Sequence, residues 1–368
     1  EIVNSDWSSD VCSSDLLGLD LSKFKGSLNG KAIDIYKLRN NNGYEVLISN
    51  YGAMIVSFRV PDRNNNVIDI TLGEPSISKY YENPTSYFGA TVGRYCNRIA
   101  NGKFEIDGNV YQLPKNNGPN NLHSGDTGFH NQVWDVLEFK DDYLKLNFVS
   151  HEGDNGYPGN VDVTLEYKLS ENNELIMETS ANADKKTIIS ITNHTFFNLN
   201  GGNCNALDAK LQIFADFMTP INKDMITTGE IKSVKGTNFD FNEPTVISSR
   251  INDENDQQLK FGCGYDHNFV LRKKYNDELS LAAVAYSEKT GIKLEVLTTL
   301  PGLQFYSGNF LDDTFEAKYP GTSNSYRYAF CLEAQYFPDT PNKPHFPSCI
   351  YDKDHPYHHT IIFKVNKE

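Results

Sequence analysis

Residues 161 to 169 read Val-Asp-Val-Thr-Leu-Glu-Tyr-Lys-Leu, with an apolar side chain at every odd position and a polar or charged one between. Successive side chains of an extended chain point to opposite faces, so this run buries one face and wets the other, which predicts a β-strand. Glu171-Asn172-Asn173 follows, and the alternation resumes from Leu175 to Ser180, making the two runs a hairpin. The same period of two recurs at Glu45 to Ser49, Val67 to Leu72, Leu144 to Val149, Leu279 to Tyr286 and Ile292 to Thr298, bounded by Asn, Asp, Gly and Pro. Asp107-Gly108, between Lys103 to Ile106 and Val110 to Leu113, signals a further hairpin, because Asp-Gly suits the two positive-φ positions of a type I′ turn.

No segment holds an apolar stripe at i, i+3, i+4, i+7 for three helical turns, which disfavours alternating strand–helix architectures. No low-complexity linker divides the chain after residue 30, and no repeat of about 20 to 50 residues is present. The prediction is an all-β fold, a large antiparallel β-sandwich formed as a single domain by residues 21–368. Residues 1–20 are set apart as a tail. Their core, Ser5 to Leu16, is a Ser/Asp-rich tract with an internal Ser-Ser-Asp repeat that looks more like translated adapter read-through than a natural segment. It has neither the basic start nor the apolar centre of a signal peptide, and the protein is expected to be cytoplasmic.

Hydrophobic residues make up 39% of the 368, with 21 Tyr and 22 Phe, enough for a large core and far from a disordered composition. Against 48 Asp and Glu stand 34 Lys and Arg, a formal charge of −14 that repels nucleic-acid phosphates and anionic lipid, so no nucleic-acid partner is expected. No apolar stretch approaches the roughly 18 residues of a membrane span. Six cysteines, at 12, 96, 204, 263, 331 and 349, form no Cys-x-x-Cys pair, and most are expected to be free thiols.

Several segments carry side chains suited to chemistry. Phe88 to Ile99 brings Arg94, Asn97 and Arg98 beside small residues, and Asn120-Asn121-Leu122-His123-Ser124-Gly125 places a histidine next to a glycine turn. His194 stands among strand-forming and aromatic residues in Thr192 to Leu199, where a hydrogen-bonded core histidine is the plain alternative. Asp266 and His267 begin an apolar strand, and a regular strand aims them at opposite faces. Glu333 lies inside the apolar run Phe330 to Ala334, where burial raises a carboxyl pKa toward what a general base at neutral pH requires. Asp352, Asp354, His355, His358 and His359 are close in sequence, but without cysteine or a second clustered ligand set they make a weak metal site, and no metal is expected.

Taken together these segments resemble the aldose 1-epimerase, or galactose mutarotase, family from about residue 30 to the end. The resemblance rests on Gly-Arg-x-x-Asn-Arg-Ile at 93–99, Asn-x-Leu-His at 120–123, Gly-Tyr-Pro-Gly at 156–159 and Asn-His-Thr-Phe-Phe-Asn-Leu at 193–199. Asp-His-Asn-Phe at 266–269, Gln-Phe-Tyr-Ser-Gly-Asn at 304–309 and Leu-Glu-Ala-Gln-Tyr-Phe-Pro-Asp at 332–339 complete it in the family's order. It implies a large antiparallel sandwich with an open sugar cleft, Glu333 as the base on the anomeric hydroxyl and His194 as the acid on the ring oxygen. Asn97, Arg98, His123, Asp266 and Gln304 are implied as sugar contacts. The implied reaction is mutarotation of free hexoses such as D-glucose and D-galactose. It involves no redox step and no carbanion, so no cofactor is expected. Two positions depart from the family pattern: Ser124 replaces a glycine, and Phe196 a tyrosine.

A non-catalytic sugar-binding protein on the same scaffold, a hexose-6-phosphate 1-epimerase and a glycosidase are the alternatives. Retention of both Glu333 and His194 disfavours the first, and the acidic chain disfavours a phosphorylated sugar. A glycosidase would need two carboxylates flanking the bond, for which only Glu333 and Asp266 are candidates. The protein is expected to act as a monomer, with a dimer left open, and Arg94 is divided between a sugar contact and a structural ion pair.

Overall fold

The structure, a computed structural model that describes residues 17–368, folds the run quoted first as the strand Val161–Leu169, whose odd-numbered side chains are buried. It pairs antiparallel with Glu174–Ala183, Val161 opposite Ala183 and Leu169 opposite Leu175. These two strands belong to a nine-stranded sheet ordered Asp135–Lys140, Tyr143–Ser150, Val161–Leu169, Glu174–Ala183, Tyr357–Lys367, Ile292–Thr298, Ser280–Tyr286, Lys210–Ile213 and Thr245–Val246. A five-stranded sheet is ordered Lys232–Ser233, Ala215–Thr219, Asp266–Leu271, Gly302–Tyr306 and Cys331–Gln335. A four-stranded one runs Ile35–Arg39, Glu45–Ser49, Met54–Pro61 and Val67–Asp69.

Neighbours within all three sheets are antiparallel. One continuous apolar core joins them. It takes Val46, Ile55 and Phe58 from the four-stranded sheet, Leu146, Val163 and Phe363 from the nine-stranded sheet, and Phe269, Phe305 and Leu332 from the five-stranded sheet. This is the predicted all-β sandwich, held by burial of facing sheet surfaces.

Differences from the sequence reading have local causes. Val67 to Leu72 pairs only as far as Asp69, whose carboxylate accepts from the backbone N–H of Phe58 and Thr71 and from Ser57 Oγ, and meets Lys318 Nζ at 2.7 Å. A carboxylate satisfied this way ends the ladder. The Asp107-Gly108 hairpin forms with φ of 50° and 79°, its second strand being Asn109–Gln112. Two helices of six residues each, Ile77–Glu82 and Gln257–Gly262, are too short to leave a three-turn stripe and start instead from side-chain caps at Ser76 and Asp256.

The tail expected over residues 1–20 lies mostly outside the described residues. Its described end does not behave as a tail. Leu19 is 4% exposed in an apolar cluster with Phe24, Leu47 and Ile77, and Asp20 caps the 3₁₀ turn Leu21–Phe24 by accepting from the Ser22 backbone N–H. The packed chain therefore includes residues 19 and 20.

Candidate active site

Three strands of the five-stranded sheet build one wall: β1 (Asp266–Leu271), β2 (Gly302–Tyr306) and β3 (Cys331–Gln335). Asp266 stands opposite Tyr306 and Tyr306 opposite Cys331; Asn268 stands opposite Gln304 and Gln304 opposite Glu333. Cross-strand partners share a face, so these six side chains lie on one side of the sheet. His267, Phe269, Leu303, Phe305 and Leu332 take the other side and enter the core, His267 packing its ring 4.6 Å from that of Phe239. The sequence expectation that Asp266 and His267 diverge is what the strand shows.

Two short strand pairs bring up the opposing residues. Thr91–Val92 pairs with Thr192–Asn193, and the His194 N–H donates to the Ala90 carbonyl while its own carbonyl accepts from Gly89 N–H. Gly89 is required there. It has φ of 67°, and a Cβ would lie 1.9 Å from the Ile55 carbonyl oxygen. Arg98–Ile99 pairs with Asn121–Leu122, so His123 exchanges bonds with Asn97: its backbone N–H donates to the Asn97 carbonyl, and its Nδ1 accepts from the Asn97 N–H at 3.1 Å.

These elements enclose a cavity of about 480 Å³, within the usual size of a small-molecule site. His194 Nε2 lies 3.6 Å from Glu333 Oε2, and that oxygen makes no hydrogen bond to any described residue. The His194 ring stacks with Phe196 at 4.8 Å and with Tyr87 at 5.6 Å, and His123 meets it edge-on at 5.3 Å. Its Nδ1 is 3.6 Å from Cys331 Sγ. Arg98 Nη1 is 3.7 Å from Asp266 Oδ2, and Arg98 Nε donates to Asn117 Oδ1. Burial pushes the Glu333 carboxyl well above its ordinary range, with nearby Asp266 adding to the rise and Arg98 opposing it. Burial also raises Asp266 and lowers His194 to about 4 and His123 well below the usual imidazole value. The cavity thus favours neutral groups, as expected where water is largely excluded.

Of the expected residues, Glu333, His194, Asn97, Arg98, His123 and Asp266 all line the cavity. Gln304 does not. It lies behind Asp266, with Nε2 donating to Asp266 Oδ1 at 2.7 Å and Oε1 accepting from Gln335 Nε2. Arg94 is remote from the cavity and is no ion-pair partner either, since its guanidinium donates to the carbonyls of Ser150, His151, Pro158 and Gly159 and to hydroxyls of Ser150 and Thr187. The residues from Asp352 to His359 do not converge, because His355 bonds Asp352, His358 bonds Ser180, and His359 is held among Thr299, Tyr336 and Tyr351.

The sequence reading missed Tyr87, Asn117, Met225, Tyr306, Phe310, Leu311 and Phe315, which supply most of the apolar wall and the polar partner of Arg98. Asn117 precedes Gly118-Pro119 and so reads as turn chemistry, and the others read as core.

His123, His194 and Glu333 present ligand atoms within 4.8 Å of one another, a spacing that suits a metal. Their hydrogen bonds do not. With Nδ1 accepting from a backbone N–H, neutral His123 carries its proton on Nε2, leaving no lone pair on the nitrogen that remains for a ligand. His123 is instead a hydrogen-bond donor.

Residues 34–364 match the family model described as aldose 1-epimerase. The galactose mutarotase of Bos taurus is 38% identical over 340 residues, covering 92% of this chain and 96% of that protein. The aldose 1-epimerase of Escherichia coli K12 is 36% identical over 324 residues, 87% of this chain and 90% of its own. Among solved structures, an aldose epimerase homologue from C. elegans superimposes with a TM-score of 0.84 at 28% identity, covering 91% of this chain and 99% of that one. The galactose 1-epimerase of Lactobacillus acidophilus NCFM gives 0.80 at 28% identity over 93% and 97%. With a full-length antiparallel sandwich and a buried carboxyl–imidazole pair at its cavity, the chain belongs to the aldose 1-epimerase family of isomerases.

Proposed function

We propose that this enzyme interconverts the α and β anomers of free hexoses, D-galactose and D-glucose among them, with Glu333 as base and His194 as acid. The observation that carries the reading is the 3.6 Å approach of His194 Nε2 to the unpartnered Glu333 Oε2 at the cavity. The anomeric hydroxyl and the ring oxygen hang on the same carbon, so the groups that serve them must be neighbours.

Ring opening moves two protons. The Glu333 carboxylate takes the proton of the anomeric hydroxyl, the C1–O5 bond breaks as the aldehyde forms, and the His194 imidazolium gives its Nε2 proton to O5. After rotation about C1–C2, the reverse transfers close the ring on the other carbonyl face. Carboxylate with imidazolium, and carboxylic acid with neutral imidazole, hold the same number of protons. The first pair is the reactant of ring opening and the second its product, so each half-reaction leaves the enzyme ready for the other. Burial favours the uncharged pair, and the polar substrate would bring the two forms closer in energy.

Neutral His123 and the Arg98 guanidinium donate to sugar oxygens, and Asp266 accepts from sugar hydroxyls. The apolar wall of Tyr306, Phe310 and Phe315 suits the C–H faces of a pyranose. Among the described residues lining the cavity, Arg98 is the one permanent cation and is already engaged by Asp266, which disfavours a sugar phosphate.

Polarimetry of freshly dissolved α-D-galactose, α-D-glucose and glucose 6-phosphate tests the reading. Both free sugars should reach equilibrium rotation faster with enzyme, and E333Q should lose about 10²–10⁴-fold in kcat. Preference for the phosphate would overturn the substrate claim, and an E333Q variant within about tenfold of wild type would overturn the base assignment.

A further inference from the structure

His194 has a partner that the reaction scheme does not use. Cys331 begins β3 two residues before Glu333, so both side chains project to the same face, one to each nitrogen of the His194 ring: Sγ lies 3.6 Å from Nδ1 and Oε2 lies 3.6 Å from Nε2. Cys331 is fully buried, and burial together with Glu333 and Asp266 pushes its thiol well above the ordinary value, so the sulfur is a neutral thiol and not a thiolate.

We propose that Cys331 is a positioning residue for mutarotation: its sulfur accepts the Nδ1–H of His194 throughout the cycle, aiming Nε2 at the ring oxygen while giving the imidazolium little stabilisation. The inference rests on the reading of His194 as the acid. In that reading Nε2 gains and loses the proton, so Nδ1 must keep its own in both states. Something has to receive it, since an unpartnered buried N–H is costly. A carboxylate there would hold the imidazolium too firmly for it to release its proton to an ether oxygen. Thiol sulfur is a weak acceptor, and it fixes the ring's direction at small cost to its acidity. The remaining groups facing the ring are Glu333 and Tyr306 from the sheet, and Tyr87, His123 and His130 from the loops. Glu333 meets Nε2, and besides the sulfur the one other acceptor near the ring among the described residues is the backbone carbonyl of His194 itself, a weak contact that opposes the lowering by burial.

The test compares wild type, C331S and C331A by polarimetry on D-galactose across pH, with H194A as control. It adds ¹⁵N-histidine NMR of each, the His194 signals being assigned by their loss in H194A. Serine keeps the shape but is a stronger acceptor, so C331S should stay active while the alkaline limb of its profile, where the shared proton leaves the pair, moves up by roughly half to one pH unit. C331A should lose about tenfold in kcat with KM within about twofold, a partial loss of acid catalysis. In wild type, Nδ1 of His194 should carry a proton at neutral pH.

Superimposable pH profiles for C331S and wild type, wild-type kcat in C331A, or a wild-type Nδ1 without a proton would each overturn the proposal. If H194A itself stays active, the acid assignment falls, and the NMR result still decides the Cys331 contact.

Discussion

Gln304 and Glu333 stand directly opposite each other on neighbouring strands, yet only Glu333 reaches the cavity; Gln304 is capped by Asp266, to which it donates at 2.7 Å. The pair shows how one register position serves two tasks. Glu333 faces the cavity as the proposed base, whereas Gln304 holds Asp266, the proposed sugar contact, and is itself held by Gln335, which also accepts from Asn97.

A double-mutant cycle separates positioning from contact. Q304A should raise KM for D-galactose severalfold by releasing Asp266, and D266A should raise it more. Since Gln304 acts through Asp266, the double variant should match D266A, leaving a coupling of about 0.5–3 kcal/mol in the cycle. Additive effects would mean that Gln304 meets the sugar independently.

Ser124, where the family has glycine, occupies a left-handed conformation at φ of 68° and is fully buried. Its Oγ donates to the Tyr95 carbonyl, accepts from the Tyr95 N–H and lies 2.8 Å from Tyr157 Oη. Glycine would relieve backbone strain of about 1 kcal/mol, but would leave a buried N–H and a buried hydroxyl short of a partner at about 1–3 kcal/mol each. S124G should therefore be destabilised by about 1–5 kcal/mol in urea titration, despite restoring the family residue. A more stable S124G would show that strain dominates.

At the other end of the fold, a chain starting at Leu19 should be more stable than one starting at Leu21. Burial of Leu19 contributes about 1.5–3 kcal/mol, and the Asp20 cap acts in the same direction. Equal urea midpoints for the two truncations would refute this.

How far the sequence could be read depended on how local each signal was. Val161–Leu169, Glu45–Ser49 and Ile292–Thr298 carry their strand character in their own alternation, and their bounds are the predicted ones. Glu333 is conspicuous as an acid in an apolar run, and the motif resemblance pointed to His194. Tyr87, Phe310 and Phe315 were invisible because an aromatic that walls a cavity and one that fills a core look alike in a sequence. What separates them is the empty space in front, created by distant segments. Gln304 shares a sheet face with Glu333 and Asp266, but its amide is engaged by Asp266 and Gln335, a contact that strand position alone does not reveal. Leu19 was set aside together with the Ser/Asp-rich tract that precedes it, although Leu17 and Leu21 flank it.

Glu333 should also make the fold less stable as pH rises. Its pKa in the folded protein lies above the ordinary 4.5, so over the interval from 4.5 up to the folded value the native state binds more protons than the unfolded chain. Where the unfolded state binds fewer protons, stability falls with increasing pH. The cost is absent below pH 4.5, grows through this interval and is complete once pH passes the folded pKa. Glutamine keeps the shape of the carboxylic acid without ionising, so E333Q should match the wild-type melting temperature near pH 4 and exceed it by roughly 2–4 °C at pH 8. The buried histidines act in the opposite direction. His130, His267 and His359 are lowered to about 3, so the unfolded chain takes up protons below pH 6.5 and stability falls on acidification. Both proteins share that loss, and it cancels in their difference. The prediction therefore concerns the gap between the two melting curves across pH 4 to 8, alongside kcat at each pH. A gap that is constant or narrows toward pH 8 would show that Glu333 is not held in a site hostile to its charge, and would remove the physical basis for its role as a base with a raised pKa.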